Sequence, residues 1–309
     1  MNATLVRLAE LCAMDPSTVS RALRDDPRVK STTRERIKAL ATTMGYAPNL
    51  AARTLVSGRT GILVFLMSRL GDAIELEPAK AVHASAEAAG YDLLIGLYSR
   101  IDGLARQLAR AAGGGADGII LIPPVVDGTA GHDACAMAKT PLVFLDRPVD
   151  GVDAPWVTSS NEAAAAGLVS RCADAGYRRI AILFGAANAV ERERARGARA
   201  EATRLGLEQV EADPADGAPI AFVASAAATV RTCFAALSGR MGQTPARTGA
   251  GVFDVWPGDA HPFADVFVCA QDFPAMATTA CAVLLDRLAG RDRPERRIEI
   301  PIAGFTRLA

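Results

Sequence analysis

"MDPSTVSRAL" occupies residues 14–23. Asp15 followed by Pro16 marks a helix start. A carboxylate at the cap accepts from the unpaired N–H groups of the first turn, and proline at the first helical position has no N–H to satisfy. Val19 and Leu23 stand four apart on one face and are expected to point inward. In the preceding segment, "LVRLAELCA" (5–13), Leu5, Leu8, Ala9 and Cys12 recur at i, i+3, i+4 and i+7, which predicts another helix. Only Ala13 and Met14 separate that helix from the Asp15 cap. Two short helices joined by so tight a turn must cross steeply, which is the helix-turn-helix arrangement. Thr32-x-x-Glu35 then has the spacing of a capping box. It opens a third helix through Ile37, Leu40, Ala41 and Met44, stopped by Gly45.

The formal net charge of the 309-residue chain is zero, but it is unevenly spread. Residues 1–58 hold nine Lys/Arg against five Asp/Glu, a surplus of +4, and the remainder carries −4. A small basic head on a mildly acidic body suits a polyanion partner at the N-terminal side.

After Gly58 the pattern changes. Apolar runs with the look of buried strands alternate with Ala-rich helical segments: "GILVFLM" (61–67), "YDLLIGLY" (91–98), "DGIILIP" (117–123), "PLVFLD" (141–146), "RIAILFG" (179–185) and "IAFVA" (220–224). Strand, helix, strand in sequence predicts parallel sheets covered on both faces. "AEAAGYDLLIGL" (86–97) and "CADAGYRRIAIL" (172–183) both end a helix in Ala-Gly-Tyr and enter a strand, as two similarly built lobes would. "RPVDGVDAPW" (147–156) is expected to cross between them.

Several function classes are not expected. "MNATLVRLAELCAM" contains Arg7 and Glu10 and no long apolar run, so it does not read as a signal peptide. No apolar stretch approaches the roughly 18 residues of a membrane span. The six cysteines have no C-x-x-C spacing, and the three histidines do not cluster with them. Small buried thiols in a reducing cytoplasm are expected, without metal. Gly113-x-Gly115-x-x-Gly118 has dinucleotide-fingerprint spacing, but it follows a helix and precedes a strand, so it reads as a helix terminator. No cofactor is expected. Asp25-Asp26 sit beside Pro27 in a loop and read as solvated. No catalytic constellation stands out, so the chain is not expected to be an enzyme.

Residues 5–60 resemble the DNA-binding region of the LacI/GalR family of transcriptional regulators. The resemblance is carried by Ala9 and Ala13, by Thr18-Val19-Ser20-Arg21-x-Leu23, by Val29, Thr33-Arg34 and Ile37, and by Gly45-Tyr46-x-Pro48-Asn49-x-x-Ala52-x-x-Leu55. Arg7, Cys12, Met14, Asp15 and Leu50 depart from the family's usual residues without disturbing the helix pattern. The resemblance implies that Ser17, Thr18, Ser20 and Arg21 face base edges and backbone in the major groove, with Arg24, Arg28 and Lys30 on phosphates. It also implies that 48–55 is a hinge helix that folds on DNA. Asn49 would cap it, and Leu55, supported by Ala52, would wedge a base step in the minor groove.

More weakly, the body resembles the family's effector domain, through "DGIILIPP", "PLVFLDRPV", "AGYRRIAILFG", "RERARGARAEATRLGL" and "VFDVW". Carried over by position, Asp146, Arg194 and Asp254 would line a cleft, with Ser68 and Asp72 also facing it. Such a cleft suits a sugar or sugar phosphate. There are departures. Ala224-Ser225-Ala226-Ala227 lacks the family's Asn-Asp pair, Ile74-Glu75 replaces an aromatic pair, and the segment before "VFDVW" is short.

The expected architecture is a small all-α helix-turn-helix head plus an α/β two-lobed, periplasmic-binding-protein-like effector domain of doubly wound parallel sheets. Residues 1–47 would form the head, 48–58 the hinge helix and linker, and 59–309 the effector-binding and dimerisation domain. The expected function is that of a cytoplasmic homodimeric repressor on double-stranded, pseudo-palindromic operator DNA, controlled by a small-molecule effector. The alternatives are a cytoplasmic sugar-binding protein and a regulator that has lost its effector.

Overall fold

In a computed structural model the described residues are 4–46, 58–68, 73–124, 131–186, 188–211, 218–241, 247–258, 261–291 and 293–308. The chain divides into two compact units, Met1–Thr60 and Gly61–Ala309. The proposed hinge, with Asn49, Ala52 and Leu55, lies outside the described residues, as does Asp72.

In the first unit, α1 (Leu5–Cys12), α2 (Pro16–Leu23) and α3 (Ser31–Thr43) surround one small core. Thr4 caps α1 by accepting from the Arg7 N–H at 3.2 Å. Ala13 ends it in the left-handed region, φ 52°, which tightens the turn into α2. Asp15 then accepts from the Ser17 N–H at 2.8 Å, with Pro16 at the head of the helix. Leu8, Ala9, Cys12, Val19, Ala22, Val29, Ile37 and Ala41 form the core. Full burial of a valine such as Val19 contributes about 1.5–3 kcal/mol.

The capping box is not formed. Helix α3 starts at Ser31, Lys30 stands at the cap, and no side chain bonds there. Thr32 therefore lies within the first turn, where its hydroxyl is misplaced for capping. Buried Val29 and the Arg34 guanidinium, which donates to the Val29 carbonyl at 2.6 Å, hold the preceding loop so that the helix begins early.

The second unit holds two six-stranded sheets. The first runs β11-β5-β4-β3-β1-β2 and the second β12-β10-β9-β8-β6-β7. The strands are β1 (Ile62–Met67), β2 (Asp92–Leu97), β3 (Gly118–Leu121), β4 (Leu142–Leu145), β5 (Trp156–Ser159), β6 (Arg179–Ile182), β7 (Glu208–Val210), β8 (Ile220–Ala224), β9 (Thr248–Phe253), β10 (Asp265–Ala270), β11 (Arg297–Ile300) and β12 (Gly304–Leu308). Replacing β1–β5 and β11 by β6–β10 and β12 turns one strand order into the other. The last strand differs: β11 joins β5 in parallel, whereas β12 joins β10 antiparallel.

Helices α4 (Ala73–Ala88), α5 (Ile101–Arg110) and α6 (His132–Ala136) belong to the first sheet. Helices α7 (Asn161–Asp174), α8 (Ala189–Arg204) and α9 (Ala227–Met241) belong to the second. Helix α10 (Phe273–Leu288) follows β10 but buries Met276, Ala277, Ala280 and Leu284 against the first sheet. Continuous burial of β1, β3, β4 and β8 matches their nearly unbroken apolar runs.

Two expectations change. The stretch 147–156 joins β4 to β5, neighbours in one sheet, so it is not a crossover between lobes. The chain crosses at 159–161, between β5 and α7, and again at 270–273 and 300–304. Hydrogen bonding decides this: Phe144 and Leu145 pair with Trp156 and Val157, returning the Pro-rich loop to its own sheet. The repeated Ala-Gly-Tyr junction also occurs at non-equivalent places, before β2 and before β6. It is a helix stop used twice. Gly90 and Gly176 sit at φ 78° and 93°, and the Tyr91 and Tyr177 N–H groups donate to Ala86 and Cys172 carbonyls. The 113–118 glycines do terminate a helix: Gly114, φ 89°, lies between α5 and β3.

Candidate functional site

Two surfaces follow from the sequence, one on each unit. On the head, Ser17, Arg21, Arg24, Arg28 and Lys30 are exposed, and Thr18 and Ser20 are half-buried. Ser17 and Arg21 share an exposed face of α2, and Arg24 follows at its C-terminal cap. Among the described residues, Arg21 and Arg24 form no ion pair. Arg28 differs. Its Nε and Nη2 both donate to the Asp26 carboxylate, the latter at 2.6 Å. These bonds hold the Asp26 carboxyl far below its ordinary range. Asp25 receives Lys38 at 2.6 Å, so Asp25 and Asp26 act as partners for the head's own cations.

In the second unit, Ser68, Asp146, Arg194 and Asp254 line one cavity of about 970 Å³ between the two sheets. Backbone geometry places both aspartates. Asp146 follows β4 and Asp254 follows β9, the corresponding strands of the two sheets. Both lie in the left-handed region, φ 74° and 66°. Each N–H donates to the neighbouring strand, to Val157 at 2.7 Å and to Cys269 at 2.8 Å. A left-handed residue ends each strand and turns its carboxyl into the cleft.

Arg194 comes from α8, which lies against α7 at a glycine. A Cβ on Gly197 would collide with the Glu162 backbone, so any larger residue would push the helices apart. Arg194 Nε donates to Asn161 Oδ1 at 2.9 Å and Nη1 to Ser225 Oγ at 3.0 Å. The guanidinium carbon lies 3.7 Å from the centre of the Phe253 ring. Burial pulls its pKa down, while Asp146, Asp254 and Glu191 pull it back up. Burial raises the Asp254 carboxyl, opposed by Arg194 and by Gln271, whose Nε2 donates to both its oxygens. Asp146 pairs instead with its neighbour Arg147, whose Nε donates at 2.8 Å.

The polar groups of the cleft lead to the crossing at 159–161. Asn161 Nδ2 donates to Thr158 Oγ1 and to the Ser159 carbonyl, both at 3.0 Å. Ser159 Oγ donates to Gln271 Oε1 at 2.8 Å, which joins the end of β5 to the Asp254 partner. Buried Glu193 binds Arg297 of β11 at 3.1 Å across the two lobes, and burial raises its carboxyl. Arg192 reaches Asp150 at 3.4 Å at the surface.

Arg147, Asn161, Glu191, Ser225 and Gln271 were not singled out by the sequence reading. Ser225 stood within the Ala224–Ala227 departure and binds both Arg194 and Glu191. Asn161 and Glu191 carry no motif of their own. Among the described residues no cluster of His, Cys, Asp and Glu could hold a metal ion, and no helix is long and apolar enough to cross a membrane.

A head whose described residues form a helix-turn-helix and a third helix, followed by a two-lobed, periplasmic-binding-protein-like α/β body, defines a class, the two-domain DNA-binding transcriptional regulators. The model for "Bacterial regulatory proteins, lacI family" matches residues 8–49. The HTH-type transcriptional regulator PtxS of Pseudomonas plecoglossicida is 25% identical over 96% of this chain and 92% of its own length. Residues 8–49 belong to the lacI family of bacterial regulatory proteins, and the likeness to a transcriptional regulator runs over nearly the whole chain. Among solved structures, the fold matches the lac repressor dimer bound to operator and the anti-inducer ONPF. The TM-score is 0.75 at 19% identity, covering 100% of this chain and 99% of that one. It also matches a complex of the transcriptional regulator CelR with cellobiose, with TM-score 0.64, 19% identity and 99% of each chain covered.

Proposed function

We propose that this chain is a cytoplasmic transcriptional repressor that binds a pseudo-palindromic operator as a homodimer and responds to a small polyhydroxylated effector in the cleft. The observation that carries the reading is the convergence of Asp146, Arg194 and Asp254 on one cavity in a chain with a lacI-family head. The CelR–cellobiose complex, a sugar complex on this fold, is consistent with it. On the head, Ser17, Thr18, Ser20 and Arg21 would meet bases and backbone, and Arg24 and Lys30 phosphates. Arg28 would reach a phosphate only by leaving Asp26. The linker residues Asn49, Ala52 and Leu55 complete the proposed DNA contacts, and Ser68 and Asp72 the proposed cleft.

The cleft gives the response a physical route. A ligand that bonds to Arg194 or Asp254 competes with Asn161 and Gln271, which hold the crossing at 159–161. Effector binding then biases the relative pose of the lobes, and by reciprocity operator binding biases effector affinity.

Fluorescence anisotropy with DNA from upstream of the chain's own gene tests the reading. Specific affinity should fall steeply with salt. Affinity that is indifferent to salt and to sequence would refute a regulator. Arg21→Ala should weaken specific binding by about ten- to a hundred-fold with an unchanged melting temperature, because the side chain is exposed. Parallel losses of stability and affinity would remove Arg21 from the DNA face.

A further inference from the structure

The cleft's charge narrows the class of ligand. Its described wall carries two guanidiniums, Arg147 and Arg194, and three carboxylates, Asp146, Glu191 and Asp254. The surplus is one negative charge. Several of the cationic donors are also engaged: Arg147 Nε and Nη2 on Asp146, and Arg194 Nε and Nη1 on Asn161 and Ser225, which leaves Arg194 Nη2 without a bond among the described residues. A phosphate or carboxylate ligand needs free charged donors, and here the guanidinium N–H groups that remain stand among three carboxylates. Helix N-termini favour anions: Glu191 already occupies the first turn of α8, and the start of α9, where Ala227 and Ala228 line the cleft, offers only a partial positive charge against that surplus.

Glu191 is the least expected of the three. It is held in place from two sides, accepting from the Gly185 N–H at 2.8 Å and from the Ser225 hydroxyl. Each carboxylate oxygen has a second lone pair, so the three carboxylates can still accept from ligand hydroxyls. The rest of the wall is largely apolar, including Met67, Ile122, Leu183, Val190 and Phe273. Acceptors set in an apolar wall suit hydroxyl groups on a neutral carbon skeleton.

We propose that the cleft selects an uncharged polyhydroxylated ligand, a sugar or polyol without phosphate or acid groups, and that Glu191 enforces this selection. The proposal rests on reading the cleft as the effector site. Calorimetric titration of the full chain with matched sets provides the test: hexoses, hexitols and cellobiose, each sugar against its phosphate and its aldonic acid. A neutral member should bind at least tenfold more tightly than its charged counterparts. If a phosphate or aldonate binds as tightly as its neutral counterpart, the charge argument fails while the effector reading stands. If no member binds to protein that still binds operator, both fail.

Glu191→Gln keeps the shape and removes one charge. It should raise the affinity of a charged member relative to its neutral counterpart by about tenfold. A ratio unchanged from the wild type would remove Glu191 from the selection.

Discussion

The two lobes use the same backbone device and obtain different chemistry from it. Asp146 and Asp254 end corresponding strands, both left-handed and both bonded through N–H to the next strand. In the first lobe the neighbouring Arg147 neutralises the carboxylate at once. In the second the carboxyl is shielded by uncharged Gln271, buried, and pushed up in pKa. Shared topology therefore fixes where a functional group stands, and the residues beside it fix its protonation and strength. The chemically tense half of the cleft is the second lobe, where Arg194 is also buried.

Arg194→Ala gives the strongest test of that contrast. It leaves Glu191 and Asp254 without their nearby countercharge and should cost the body about 3–5 kcal/mol, read by denaturant unfolding. Effector response should vanish while operator binding persists. A normal response to effector would show that the second lobe does not carry the tension.

The paired variants Asp146→Asn and Asp254→Asn come next, since asparagine tolerates the left-handed backbone. Losing the ion-paired Asp146 should cost about 1–3 kcal/mol at pH 7. Asp254 should behave oppositely. Its pKa is raised in the folded state, so the stability it supplies is fully present below about pH 4 and is lost as pH rises through the raised value. Asp254→Asn should therefore gain stability relative to wild type at neutral pH, and the gain should shrink toward pH 4. Equal behaviour of the two variants across pH would erase the distinction between the lobes.

Smaller effects are expected further out. Ser225→Ala removes a hydroxyl that links Arg194 to Glu191 and should cost about 0.5–1.5 kcal/mol, with weaker effector binding in the same titrations. Arg192→Ala breaks the half-exposed Asp150 pair across the lobes and should cost about 0.2–1 kcal/mol, an effect that high salt should abolish. A larger, salt-resistant loss would make that pair part of the lobes' coupling.

Much of the head was legible because its signals are local. Asp15, Pro16, Val19 and Gly45 act on their own turns, and the one error, Thr32, came from a bond made by Arg34 outside the helix. The body was legible where strands are continuous apolar runs. Strands β9 and β10 escaped because "TGAGVF" and "DVFVCA" hold small or charged residues that only long-range contacts explain. A Cβ on Gly249 would come within 2.7 Å of the Tyr177 ring, and Asp265 receives the Tyr177 hydroxyl at 2.9 Å. The three central cleft residues came from resemblance. Asn161 and Glu191 could not, since their roles depend on bonds between α7, α8 and the loops after β6 and β8.

The left-handed aspartates also limit how this cleft can change over generations. Where φ is near +70°, glycine, asparagine and aspartate are the residues tolerated without strain. One substitution can therefore exchange a charged acceptor for a neutral amide or for empty space, and the strand ends stay where they are. New ligand preferences can arise at these two positions by single steps that leave the fold undisturbed.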